Sequence, residues 1–265
     1  MLIWARSGYA LILSLLPASP NPEFWQVAMS TTSVAPARKL RADDIFFPAM
    51  AAIVLAVIVI GFAQSYFFAG MVFAPLPNWL VHVHGALFVS WIFLFTIQPF
   101  LIAARKIKLH RRLGVLALVF PPLMAVFGVV TLFDSIRRNG TGIPASLILL
   151  GDLEELALFL WLTGWGLLRR RDGAAHKRLM MLGTIAITGP AINRWPFPPA
   201  IRLSGTIAVY VGLLAIMIVY DLWSRRKLHR CTVIGVAVSM LCVLTLPPLS
   251  SLPVWNPVIA RIMHH

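Results

Sequence analysis

Apolar stretches of about 20 residues recur along this chain, divided by short segments in which the charges collect. About 20 apolar residues in a helix are enough to cross a bilayer, so each stretch reads as a membrane-spanning helix. The pattern predicts seven spans, over residues 46–68, 80–103, 113–133, 146–168, a fifth opening at 179, then 205–223 and 231–246. Pro121-Pro122 falls within the third span and Gly189-Pro190 within the fifth. Proline removes a backbone donor, so a break packed against protein is expected at each.

Within the second span His84, Trp91 and Gln98 recur every seven residues. A helix drifts only about 20° over seven residues, which puts the three on one stripe. A polar stripe of that length is costly against lipid and is expected to face other helices or a cavity. In the fourth span Asp152 and Glu155 lie one turn apart on one face, with Glu154 turned elsewhere.

Composition sharpens this reading. The chain is 59% hydrophobic and 12% charged, with a mean hydropathy of +0.84. Its formal charge of +14 would suggest nucleic acid in a soluble protein, but the placement of the charges gives a different meaning. With seven spans, 17 of the 23 Lys and Arg fall on one side and five on the other, and Arg6 lies in the leader. Basic loops stay in the cytoplasm. The expectation is therefore an all-α bundle in a bacterial cytoplasmic membrane, N-terminus inside, whose basic loops meet lipid headgroups and no nucleic acid.

Residues 1–45 read as a leader, 46–249 as the bundle and 250–265 as an extracytoplasmic tail held at the interface by Trp255. The first 28 residues have either a signal-like apolar run or an over-extended start, since Met29 opens a polar, basic segment suited to a cytoplasmic N-terminus. Cys231 and Cys242 make no CxxC and no metal pattern. GxSxG, GxxxxGK[ST], HExxH and CxxCH are absent.

Two polar clusters remain. The outer one comprises His82, His84, Asp152, Glu155 and Arg194, and reads as a substrate, ion or proton site, or else as a structural network in which Arg194 neutralises a carboxylate and His84 bonds to one. No metal is expected there, because histidines two apart on a helix do not share a face and zinc wants three or four converging ligands. The inner cluster comprises His110 and His176, each followed by two basic residues. Entering neighbouring helices from one side, they are candidate axial ligands of a b-type haem. The motifs LHRRLGVLALVF and AHKRLMMLGTIAI around them form a faint internal repeat.

The segment HVHGALFVSWIFLFTIQPFLIAARKIKLHRRLG, followed by GDLEELALF and HKRLMMLGTIAI, resembles a family of uncharacterised bacterial multi-span membrane proteins over roughly residues 46–223. That resemblance implies architecture and no chemistry. More distantly, the layout is similar to the ascorbate-reducible cytochromes b, which place four histidines on four consecutive helices. By order, His84, His110 and His176 match the second, third and fifth helices, and Asp152 stands where the fourth ligand would be. The likeness implies that His110 and His176 keep one haem and that His84 lacks its partner. Three function classes therefore stand open, namely haem-associated membrane electron transfer, a small-molecule or proton-coupled carrier built on the outer cluster, and a structural or regulatory membrane subunit.

Overall fold

The structure is a computed structural model that describes residues 41–68, 78–138 and 144–264. Most of the leader, with the alternative start at Met29, and the loop prolines Pro75 and Pro77 lie outside the described residues. The described residues are all-helical, without a strand. In chain order the helices are α1 (Ala42–Phe62), α2 (Trp79–Ala103), α3 (Ile107–Gly114), α4 (Phe120–Arg138), α5 (Ala145–Leu168), α6 (Gly173–Ala186), the single turn α7 (Gly189–Ile192), α8 (Arg202–Arg225), α9 (Arg230–Ser250) and α10 (Trp255–His264).

Among the described residues, five segments are long and apolar enough to cross a membrane. They are α1, α2, the stretch Ile107–Arg138 that joins α3 to α4, Pro199–Arg225 containing α8, and α9. The two expected spans outside this set are the fourth and the fifth. α5 is 24 residues long but holds Asp152, Glu154 and Glu155. α6 stops after 14 residues, because the chain breaks before Gly189-Pro190. Nine residues of α6 are nevertheless buried, which makes it the central helix of the bundle.

The chain breaks at both proline sites, but the first break is largely exposed and not packed against protein, with only Ala117 and Pro121 buried there. A 3-10 turn, Val115–Leu118, separates α3 from α4 just before Pro121-Pro122. Each proline ring opposes the carbonyl four residues back, which falls in that turn. The third span opens earlier than the hydropathy suggests, at Ile107, so His110 sits on a helix and not in a loop. Arg137 and Arg138 likewise close α4 and do not lie in a loop.

One end of the bundle carries the basic connections and is tied by a buried ion pair. Arg178 of α6 donates through Nε (2.8 Å) and a terminal nitrogen (2.5 Å) to Asp221 Oδ1 of α8. Its other terminal nitrogen donates to the Ala174 carbonyl. The second Asp221 oxygen accepts from Thr232 Oγ1 and the His229 N–H at the start of α9. Side-chain exposure is 1% for Arg178 and 0% for Asp221, and every partner is in place. Beside them Asp43 of α1 accepts from Tyr220 Oη (2.6 Å) and pairs with Lys177 (2.5 Å). Four helices are thereby fixed at this basic end.

At the opposite end Asn78 caps α2 and donates to Asp134 of α4 (2.9 Å). The tail forms α10. Its Trp255, Ile259 and Ile262 pack on Leu132, Ile136 and Leu149 of α4 and α5.

Candidate functional site

The break between α6 and α7 opens a cavity of about 350 Å³ at the end of the bundle away from the basic connections. α1 contributes Ile58 and Phe62, and the π-helical turn that follows contributes Tyr66. α2 brings His84, Gly85, Phe88 and Ile92; α4 brings Thr131 and Arg138; α5 brings Asp152, Glu155 and Leu156; the broken segment brings Pro190 and Arg194. The walls are thus largely apolar and aromatic, with a few polar groups converging from four directions. That is the usual make-up of a small-molecule site, and the volume lies at its lower end.

Local sequence explains each placement. Asp152 and Glu155 share a face of α5 and both reach the cavity, whereas Glu154 does not. His84 enters it, stacking on Phe88 (4.3 Å) and facing the Phe127 carbonyl of α4. His82 points away and is exposed, as residues two apart on a helix must. Gly85 lets the Tyr66 ring lie on the α2 backbone, since a Cβ there would stand 2.6 Å from it. Gly189 does the same for Glu155, whose carboxyl occupies the space a Cβ would take. Arg194 is held at the rim by the turn before it. Trp195 Nε1 donates to the Val57 carbonyl of α1 (3.2 Å), Arg194 itself donates to the Pro190 carbonyl (2.6 Å), and its guanidinium lies 4.8 Å from the Phe62 ring centre.

The four charged or titratable groups do not satisfy one another. Asp152 lies within electrostatic reach of Arg194, yet among the described residues neither it nor Glu155 has an ion pair or a hydrogen bond within contact distance. The structural network expected from sequence, with Arg194 bound to a carboxylate and His84 bonded to another, is not formed. Arg194 spends its donor on a backbone carbonyl instead. Among the described residues no three His, Cys, Asp or Glu side chains converge as metal ligands.

Trp91 and Gln98 complete the α2 stripe below the cavity. Trp91 is 1% exposed and meets Phe159 of α5 edge-on at 5.1 Å. At the basic end His176 Nδ1 lies 2.8 Å from the Gly166 carbonyl, which leaves Nε2 for another partner. His110 faces the Gln98 carbonyl and lies within electrostatic reach of His176. The two histidines thus stand on α3 and α6 at the basic end. Neither lines the cavity above.

No family model, curated protein or solved structure matches this chain. The function must therefore be argued from the site. Sequence reasoning missed Tyr66, Thr131 and Arg138 as cavity residues, and missed the Arg178–Asp221 pair. Asp221 did carry a signal. In a chain with nine acidic against 23 basic residues, an aspartate near the end of an apolar span needs a base.

Proposed function

We propose that the chain is a seven-span protein of a bacterial cytoplasmic membrane, N-terminus inside, that binds a small polar solute in the outer cavity and couples it to a proton. α5 and α6 are then the fourth and fifth spans, and the basic connections face anionic lipid headgroups in the cytoplasm. One observation carries this reading. His84, Asp152, Glu155 and Arg194 converge on one cavity without pairing among themselves. Intramembrane charge costs several kcal/mol when uncompensated, so a bundle that wanted only stability would have paired them, as it pairs Arg178 with Asp221. Carboxyls left facing a cavity take their compensation from a bound cationic group or a proton. Arg194 offers the complementary donor for an acidic group, and the broken α6–α7 segment is the irregular backbone that carriers place beside their solute.

The test is uptake into proteoliposomes under an imposed pH gradient, with a panel of amino acids, organic acids and amines. At least one class is expected to accumulate, with Asp152→Asn and Arg194→Gln each lowering uptake tenfold or more. Accumulation unaffected by both substitutions, or none with any class, would overturn the reading.

The approach of His110 to His176 favours a second reading, haem-associated electron transfer, in which these two residues hold the haem and the group supplies one-electron exchange. A Soret band in the purified protein that shifts on dithionite reduction and vanishes in His110→Ala would establish it. A flat spectrum from haem-replete cells would sink it.

A further inference from the structure

The cavity reaches down α2 only as far as Ile92, but the helix continues to Ala103. Below it the stripe of His84, Trp91 and Gln98 carries an unusual load. His84 Nδ1, Trp91 Nε1 and both polar atoms of the Gln98 side chain are buried without a hydrogen-bond partner. The same holds for Thr131 Oγ1 on the cavity wall, Thr163 Oγ1 on α5 and His110 Nδ1 on α3. Thr96 Oγ1 is also unpartnered, but it stands roughly 200° around α2 from Gln98 and belongs to another face.

These atoms fall in order of depth. The Trp91–Phe159 contact sets α2 and α5 in register, whereas Thr163 Oγ1, one turn further along α5, lies against Gly183 of α6 and belongs to another interface. Gln98 and Gly166 each lie seven residues beyond that contact, at one level. There the His110 ring faces the Gln98 carbonyl and His176 holds the Gly166 carbonyl. A polar line therefore leads from His84 and Thr131 at the cavity, past Trp91, to Gln98 and the histidine pair.

An unsatisfied buried donor or acceptor costs about 1–3 kcal/mol. Buried water that bridges two to four such groups removes that cost. Steps of about 10.5 Å between stripe residues are too long for direct hydrogen bonds and suit short chains of water. We propose that a file of ordered waters occupies this seam and conducts protons between the outer cavity and the basic end. The conducting role rests on the proton-coupled reading of the cavity. Trp91 only donates and Gln98 keeps its own protons, so both are positioning residues that orient water. His110 can relay, since a proton arriving on one ring nitrogen is balanced by one leaving the other.

Two measurements on the full-length protein test this. In D2O the Trp91 indole N–H, assigned with Trp91→Phe and followed by nitrogen-15 NMR in detergent, is expected to exchange within minutes despite its burial. Gln98→Leu should slow that exchange at least tenfold, an effect that general opening of the bundle would not produce. In pyranine-loaded proteoliposomes, Gln98→Leu should cut solute-linked proton movement about tenfold while solute affinity stays within twofold. A protected Trp91 indole, or proton movement at the wild-type rate in Gln98→Leu, overturns the proposal. Rapid Trp91 exchange in a protein that shows no solute-linked proton movement would instead take down the cavity reading and the conducting role, leaving the water file standing.

Discussion

The two ends of this bundle treat buried charge in opposite ways. At the basic end Arg178 and Asp221 are almost fully enclosed, and every donor and acceptor between them has a partner. At the cavity end Asp152, Glu155 and Arg194 line one cavity yet make no direct pair. The first arrangement holds helices together and leaves nothing for a ligand. The second leaves charge uncompensated, which a purely structural site has no reason to do. The contrast separates scaffold from function without reference to any related protein, and substitutions at the two ends should behave differently.

The largest loss of stability is expected at the basic end. Arg178→Ala leaves Asp221 enclosed without its base, and breaking a buried pair from one side costs about 3–5 kcal/mol. Thermal denaturation in detergent should show a large fall in midpoint, partly recovered when Asp221 is also replaced by leucine. A midpoint unchanged in Arg178→Ala would mean that the pair does not hold α6 to α8 and α9. Next comes Gly189→Ala at the cavity. Its Cβ would occupy the place of the Glu155 carboxyl, and overpacking of that kind costs about 1–3 kcal/mol. Shortening the acid with Glu155→Asp in the same chain should recover much of it. If the double variant is no better than the single, the two positions do not share that space.

How much of this was legible in the sequence follows the same division. Five of the seven apolar spans, the two proline breaks, the α2 stripe and the common face of Asp152 and Glu155 are periodic or local, and these are seen in the structure. The Arg178–Asp221 pair is neither, since its partners lie 43 residues apart. Read locally, Arg178 is one more base in a basic loop. Tyr66 reaches the cavity only because a π-helical turn redirects it towards Gly85, and nothing in hydropathy marks that. The absence of an Arg194–carboxylate pair is likewise tertiary. It depends on Pro190 and Trp195 fixing the guanidinium against Phe62.

A smaller effect is expected at Asp172, the cap of α6. Its carboxylate accepts from the N–H groups of Ala175 (3.1 Å) and Ala174 (3.0 Å), which hold its pKa below the ordinary carboxylate value. A lowered folded-state pKa contributes stability above the unfolded value and loses it as the pH falls through the folded one. The wild-type advantage over Asp172→Ala should therefore be full at neutral pH and fade as the pH drops below the usual carboxylate range. Asp172→Asn, which still caps, should show little of this dependence at any pH. Melting curves across that range decide it.

The smallest effect on the fold is expected where the functional effect is largest. Glu155→Gln keeps the shape of the side chain and removes a carboxyl that no neighbour pairs. An unpaired carboxyl in a low-dielectric site either holds a proton or pays a penalty, so replacing it breaks no ion pair and the melting midpoint should hold or rise. Uptake driven by a pH gradient should nevertheless fall at least tenfold, because the amide can neither take up a proton nor balance a cationic group. A midpoint that drops as it does in Arg178→Ala would show that Glu155 is paired in the working protein after all. The two ends of the bundle would then both be scaffold, and the cavity would lose its claim to be the site.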